Sequence, residues 1–350
     1  MSASALGAVA EVSVSVRDAV LPHWPLPLKS EVNPLLPQAG DDHLAWLKRF
    51  GLVAPECRTV PLHVHEVASY AFPHAGQDVL NLLTDWTGWF FHFDDFLDEG
   101  PAGNAPDLAR TLIDCAVGRP DGSPSPPPGA GVEPSVLECT RQAYEDLYAR
   151  TRCRMSPAQL RVFDAHMDAY FEALIEEAAN RHRNTPPGLS DYCRIRRFTG
   201  PAPPQTDLIE LAESVRLPYA FYDSAEFHEL INAASDIASW SNDVFSAAKE
   251  QARGDMHNLV LVLARQNAVP LTDAALQAVA MIRARLQAME DTAARTLQHQ
   301  RDAAASPTAC AALEQWINGL RCYLAHCAWY VDHTRYGTQN DAGHARGGAS

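Results

Sequence analysis

The eight cysteines of this 350-residue chain contain no CxxC pair; they are scattered as Cys57, Cys115, Cys139, Cys153, Cys193, Cys310, Cys322 and Cys327. That spacing speaks against a secreted disulfide scaffold and for reduced thiols, many of them in the core. Basic residues are scarce, with 28 Lys and Arg against 43 Asp and Glu and a net charge of −15. A general cationic surface for nucleic acid or anionic membrane is therefore missing, and neither is expected as a partner. An anionic substrate would need local cations, either basic side chains or metal. No apolar run approaches the roughly 20 residues that span a bilayer, so stable membrane insertion is not expected. Met1 to Val20 has no basic n-region and is interrupted by Glu11, Arg17 and Asp18. It does not read as a signal peptide, and a cytoplasmic location is the expectation. Strand-length alternation and repeats of fixed period are also missing.

What is present is helical periodicity on an ordinary globular background, 47% hydrophobic and 20% charged. Prolines in 21–36 exclude a regular helix there and indicate an extended arm, after an N-terminal segment, 1–24, expected to be flexible. Helices are expected over about 41–50, 77–99, 135–151, 157–182, 190–197, 225–250, 257–266 and 271–303, with a last helical region from Pro307 to Arg335. The break at Thr199-Gly200-Pro201-Ala202-Pro203-Pro204 is expected to hold until Thr206 and Asp207 restart the helix. A proline-rich loop at 118–134 has matching helical character on both sides and is not a domain boundary, and 337–350 reads as a disordered tail. The economical architecture is one all-α domain.

Two stretches carry chemistry. Trp86 to Glu99, WTGWFFHFDDFLDE, runs aromatics directly into Asp94, Asp95, Asp98 and Glu99. Unpaired carboxylates among buried aromatics are costly, and at a helix C-terminus the macrodipole disfavours them further. On a helix Asp94 and Asp98 point the same way, an arrangement suited to a hard divalent cation. Taken alone, the bland alternative, an amphipathic helix ending in a solvated acidic turn, weighs as much. The second stretch places Asn242, Ser246 and Glu250 four and four apart, one oxygen-bearing row about 12 Å long at about 1.5 Å per residue. Amide, hydroxyl and carboxylate oxygens together make a Mg²⁺ chelate, although a row of this kind is by itself more often a polar helix face.

With both rows in view the chain resembles the class I terpene synthases, specifically the bacterial cyclases and among them the sesquiterpene synthases. Asp94-Asp95-Phe96-Leu97-Asp98 matches the DDxxD motif, and Asn242 through Lys249-Glu250 the second metal motif. Arg196, 46 residues before Asn242, falls at the family's diphosphate-sensing arginine. Trp329, Thr334, Arg335 and Tyr336 match its usual ending, and the likeness extends to Asn33-Pro34 and to Gly254 through Val260, so that it covers about 25–336. The resemblance implies a single-domain helical bundle around an active-site cavity, and ionisation and cyclisation of a linear prenyl diphosphate. Three Mg²⁺ ions, with Mn²⁺ as an alternative, would be bound through Asp94, supported by Asp95 and Asp98, and through Asn242, Ser246 and Glu250. Arg196, Lys249, Arg335 and Tyr336 would donate to the diphosphate; Thr199 links the sensor to Gly200, whose carbonyl would face the ionising carbon from a backbone unusual enough to require glycine. Phe90, Phe91 and Trp329 would line the hydrocarbon pocket, though for Phe91 core packing weighs equally. Farnesyl diphosphate is the expected substrate, geranylgeranyl diphosphate the alternative, and the protein a monomer or homodimer. A chain-elongating prenyltransferase would carry a second DDxxD where Asn242-Asp243 stands. A catalytically silent helical binding protein would have lost a ligand or the arginine, and none is lost. A zinc site from His63, His65 and His74 lacks a fourth ligand at suitable spacing.

Overall fold

The computed structural model describes residues 12, 14–27, 31–53, 63–98, 100–119, 131–303 and 306–332, and among them every regular element is helical. In chain order the helices are α1 (Leu36–Arg49), α2 (Val64–Ala71), α3 (Gln77–Asp98), α4 (Pro106–Val117), α5 (Pro134–Arg152), α6 (Pro157–His182), α7 (Leu189–Thr199), α8 (Ala202–Asp207) and α9 (Ile209–Ala212). They continue as α10 (Ala225–Arg253), α11 (Leu259–Asn267), α12 (Leu271–Asp302), α13 (Pro307–Ala325) and α14 (Cys327–Asp332).

Local sequence sets many of these boundaries. Ser156 caps α6 by accepting from the Gln159 amide, Gln159 returns the bond to the Ser156 amide, and Pro157 occupies a first-turn position whose N–H would be unsatisfied anyway. Ser224 caps α10, and Gly254, at φ 76°, closes it in the left-handed region where glycine carries no Cβ penalty. Asn258 accepts from the amides of Val260 and Leu261 to start α11.

α10 is the axis of the bundle, buried along most of its length and packed against α7, α8, α11, α12, α13 and α14. Opposite it, α3 explains its own aromatic density. Trp86, Trp89, Phe90 and Phe93 interlock with Tyr144 of α5 and with Phe163, Tyr170 and Phe171 of α6. Both indole N–H groups have partners, Trp86 on Thr151 Oγ1 at 2.8 Å and Trp89 on the Thr140 carbonyl at 3.1 Å, so these rings bury without an orphaned donor.

The architecture is all-α, as expected, with several corrections in detail. The chain is helical at 14–20, and Val16 and Val20 are buried in the core, so this part of the 1–24 segment is docked rather than flexible. α1 begins five residues before Asp41. α8 starts at Ala202 and contains Pro203 and Pro204 in its first turn, where proline removes no intrahelical bond. The last helical region is two helices divided at His326. α2 and α4 were not expected. Glu99, Thr334, Arg335, Tyr336, the tail and most of the proline-rich loop lie outside the described residues.

Candidate active site

The C-terminal end of α3, the break between α7 and α8, the middle and end of α10 and the α13–α14 junction surround one cavity of about 180 Å³. Asp94, Asp95 and Asp98 enter it from α3, Arg196, Thr199 and Gly200 from the break, and Asn242, Lys249 and Glu250 from α10. Phe90 and Phe91 are on its wall. Spacing along the chain and closure in space thus agree.

Three predicted residues are placed differently. Ser246 is not part of the cavity lining; it sits behind, 1% exposed, with Asn258 Nδ2 at 3.3 Å from its hydroxyl. Trp329 also lies behind the lining, edge-on to Phe91 with ring centroids 6.5 Å apart, its Nε1 donating to Glu66 at 3.2 Å. It supports a pocket ring rather than forming the pocket surface. Gly200 has φ −76° and ψ 134°, ordinary extended backbone that any residue adopts. Its glycine is set by space instead, since a Cβ there would stand 2.5 Å from Ser239 Oγ. The three-histidine zinc site is not formed: His74 pairs with Glu213 at 3.0 Å, whereas the donor atoms of His63, His65 and Glu66 group together.

Arg196 is the electrostatic hub. Its Nε donates to Asp243 Oδ1 at 2.9 Å, Nη2 to Asn242 Oδ1 at 3.0 Å and Nη1 to Thr199 Oγ1 at 3.3 Å. Burial opposes its charge most strongly, but Asp243, Tyr192, Glu177 and Glu250 together outweigh burial and hold the guanidinium protonated. Asp243 is fully buried and also receives the Tyr192 hydroxyl and the Leu259 amide, which carries the network to the start of α11. Asn258 Nδ2 ties Glu250 Oε2 at 2.8 Å and the Asp243 carbonyl at 2.9 Å. One asparagine therefore caps α11 and fixes the end of the second oxygen row.

The carboxylates are held in strained protonation. Burial, and then the negative charges of Asp98, Asp95 and Glu177, push Asp94 well above the usual carboxylate range, with Arg196 pulling the other way. Burial and Asp243 push Glu250 up to about 7. Several groups asking for positive charge, with oxygen donors only, fit a hard divalent cation at each side of the cavity. Asp98 is already engaged, bridged by both Nη atoms of Arg181 at 2.7 and 3.0 Å, and Arg181 also reaches Glu177 and Asp255.

Sequence reasoning missed Arg181, Glu177, Arg253 and Asp255 at this rim. Arg253 was within reach of it, being four residues after Lys249 and on the same helical face. It also missed Thr87, Gln205, Tyr323, His326 and Tyr330 on the wall, since nothing local in sequence marks which face of α13 turns inward.

Comparison with known proteins agrees with this geometry. The model of terpene synthase family 2, C-terminal metal binding, matches residues 85–288. (+)-T-muurolol synthase of Roseiflexus castenholzii, a (2E,6E)-farnesyl diphosphate cyclizing enzyme by name, is 31% identical over 314 residues, 89% of this chain and 92% of its own. Pentalenene synthase of Streptomyces arenae is 31% identical over 247 residues, covering 69% of this chain and 70% of its own. Among solved structures, a point variant of cucumene synthase superposes with TM-score 0.74 at 26% identity, covering 88% of this chain and 98% of its own. Germacradien-4-ol synthase of Streptomyces citricolor superposes with TM-score 0.73 at 25% identity, covering 89% and 98%. The chain belongs to terpene synthase family 2. It is an enzyme of the terpene-cyclase type, a lyase with a metal-binding domain.

Proposed function

We propose that this enzyme ionises farnesyl diphosphate with Mg²⁺ and cyclises the resulting cation to a sesquiterpene. The observation that carries the reading is the convergence of Asp94 with Asn242 and Glu250, the two ends of the second row, and with Arg196 from the α7–α8 break, on one cavity whose wall includes Phe90 and Phe91. Asp94, Asp95 and Asp98 on one side, and Asn242, Ser246 and Glu250 on the other, are the groups that would hold the ions. When bound, Mg²⁺ supplies Lewis-acid stabilisation of the departing diphosphate.

The protein's own groups do the rest. Arg196 and Lys249, joined by Arg253 from the same rim and by Arg335 and Tyr336, supply charge-assisted donors for diphosphate oxygens. Loss of one such donor is expected to weaken diphosphate binding by roughly 1.5–3 kcal/mol. Asn242 Oδ1, which now accepts from Arg196 Nη2 at 3.0 Å, would also be a metal donor, so metal binding would have to share or redistribute that contact. Once the allylic cation exists, the faces of Phe90 and Phe91 stabilise it by about 0.5–2 kcal/mol each and keep water away.

One observation favours the fifteen-carbon substrate over geranylgeranyl diphosphate: the T-muurolol synthase relative is named for farnesyl diphosphate. The test is incubation of purified protein and MgCl₂ with geranyl, farnesyl and geranylgeranyl diphosphates in separate reactions, followed by gas chromatography with mass detection. Cyclic sesquiterpene from farnesyl diphosphate is the expected result; no cyclic product from any of the three overturns the reading.

A further inference from the structure

The far wall of the cavity holds two polar chains of different character. In the first, Tyr323 Oη donates to Gln205 Oε1 at 2.9 Å, Gln205 Nε2 donates to Thr87 Oγ1 at 3.3 Å, and Thr87 Oγ1 donates to the Leu83 carbonyl at 2.8 Å. That chain ends on a backbone carbonyl and contains no basic nitrogen, so it has no place to store a proton.

The second chain does. His326 is 3% exposed, lies at the junction where α13 gives way to α14, and is the only histidine among the described lining residues. Its Nδ1 meets the Tyr323 carbonyl. A carbonyl only accepts, so its partner assigns the proton to Nδ1 and leaves the lone pair on Nε2. Nε2 faces Tyr330 Oη at 3.3 Å, and the hydroxyl is the group that donates. Tyr330 and His326 both line the cavity, beside the Phe91–Trp329 wall.

We propose that Tyr330 and His326 form the proton relay that ends the cation cascade, Tyr330 taking a proton from the carbon next to the last cationic centre and His326 receiving the phenolic proton. This rests on the cyclase reading above. In the step, a C–H bond breaks and its electron pair becomes the C=C π bond that neutralises the cation. The proton joins the Tyr330 oxygen as the original Tyr330 proton passes to His326 Nε2. A carbocation and a neutral relay become a neutral alkene and an imidazolium, which returns its proton to solvent when products leave. Burial supports the assignment by lowering His326 to about 4. The imidazole is then uncharged while the cation migrates, so it does not repel it, and a C–H next to a carbocation is acidic enough to protonate so weak a base. Tyr330 is the catalytic residue, and His326 acts through it.

The experiment compares wild type, Tyr330→Phe, His326→Phe and His326→Gln with farnesyl diphosphate and MgCl₂, reading product composition beside diphosphate release. Both phenylalanine variants are expected to reduce the share of the main wild-type alkene by about tenfold or more, a conservative threshold against the roughly 10²–10⁴-fold that a positioned proton acceptor contributes. The lost material should appear as alcohols or isomeric alkenes, and diphosphate release should fall by much less. His326→Gln keeps a polar partner for Tyr330 without a basic nitrogen and is expected to share the His326→Phe profile. If His326→Phe fails to fold, Tyr330→Phe, which removes one oxygen, still decides the matter. An unchanged product profile in Tyr330→Phe, a wild-type profile in His326→Gln, or parallel loss of alkene and diphosphate release overturns the relay. A wild type that yields only alcohol also overturns it while the cyclase reading stands; a wild type that yields no cyclic product overturns both.

Discussion

Gly200 shows how a residue can be right for a reason that sequence does not show. Its backbone angles suit any amino acid, and the restriction comes from Ser239 Oγ, 2.5 Å from the position of a Cβ, whereas Ser239 Cβ stands at 3.6 Å. Gly200→Ala should therefore lower activity by forcing the Ser239 hydroxyl out of its present rotamer against the cavity wall, while Gly200→Ala with Ser239→Ala should recover most of it, because the only atom within 3.0 Å is gone. Turnover measured in both variants checks this, and a double variant as impaired as the single one would show that glycine serves something other than fit. At Asn242 the expectation is sharper. Its Oδ1 accepts from Arg196 at 3.0 Å and Asn242 lines the cavity, so Asn242→Leu removes the proposed metal oxygen and a partner of the hub arginine together. Diphosphate release is expected to fall to background with the circular dichroism spectrum unchanged; substantial turnover would contradict the metal assignment.

At the scale of elements, the rim is stitched by Arg181, which joins Asp98 at the end of α3, Glu177 one turn earlier on α6 and Asp255 in the α10–α11 connection. Burial opposes the Arg181 charge, and Glu177, Asp98 and Asp255 outweigh it. Arg181→Met would leave Glu177, 7% exposed, without its cation, a change that costs about 3–5 kcal/mol when a buried pair is broken. Thermal unfolding should register this as a clear drop in Tm; an unchanged Tm would mean that Glu177 is held by other groups. The same scale explains what sequence could reveal. Asp94 with Asp98, and Asn242 with Ser246 and Glu250, are legible because both rows are local spacings that one helix converts into a shared face. α2 is eight residues long, too short for its apolar period to repeat, and α4, opened by Pro106, is only 12 residues between Pro101 and the proline-rich stretch. The inward turn of Tyr323, His326 and Tyr330 depends on a break at His326 that neither proline nor glycine announces, so the far wall had no signature to read. Arg181 likewise finds its partners across 83 and 74 residues, a distance over which spacing carries no information.

Across the whole molecule the net charge of −15 concentrates a share of its repulsion at this one cavity, which a bound divalent cation would relieve. Glu250, raised from the ordinary 4.5 to about 7 by burial and then by Asp243, keeps a proton in the folded metal-free state that the unfolded chain has already released. A raised carboxyl pKa stabilises the fold fully below about pH 4.5, and that contribution is lost as pH rises through about 7. Asp94 and Glu177 are raised in the same sense by burial. The metal-free enzyme should therefore melt at progressively lower temperature as pH rises from about 6.5 to 8; between pH 5 and 6.5 the buried His92 and His326, both lowered to about 4 by burial, pull the other way, because the unfolded chain binds protons there that the fold excludes. A divalent cation binds the deprotonated groups and must displace the carboxyl protons, so its affinity should rise between pH 5 and 8. At a fixed MgCl₂ concentration the increment in Tm should then grow with pH, approaching the roughly 2.7 kcal/mol that a ligand at a hundred times its Kd contributes. Differential scanning fluorimetry at pH 5, 6, 7 and 8, with and without MgCl₂ and repeated with MnCl₂, checks both halves. A Mg²⁺ increment that stays constant with pH would show that the ions bind through groups other than these buried carboxylates, since only groups that lose a proton on binding couple metal affinity to pH.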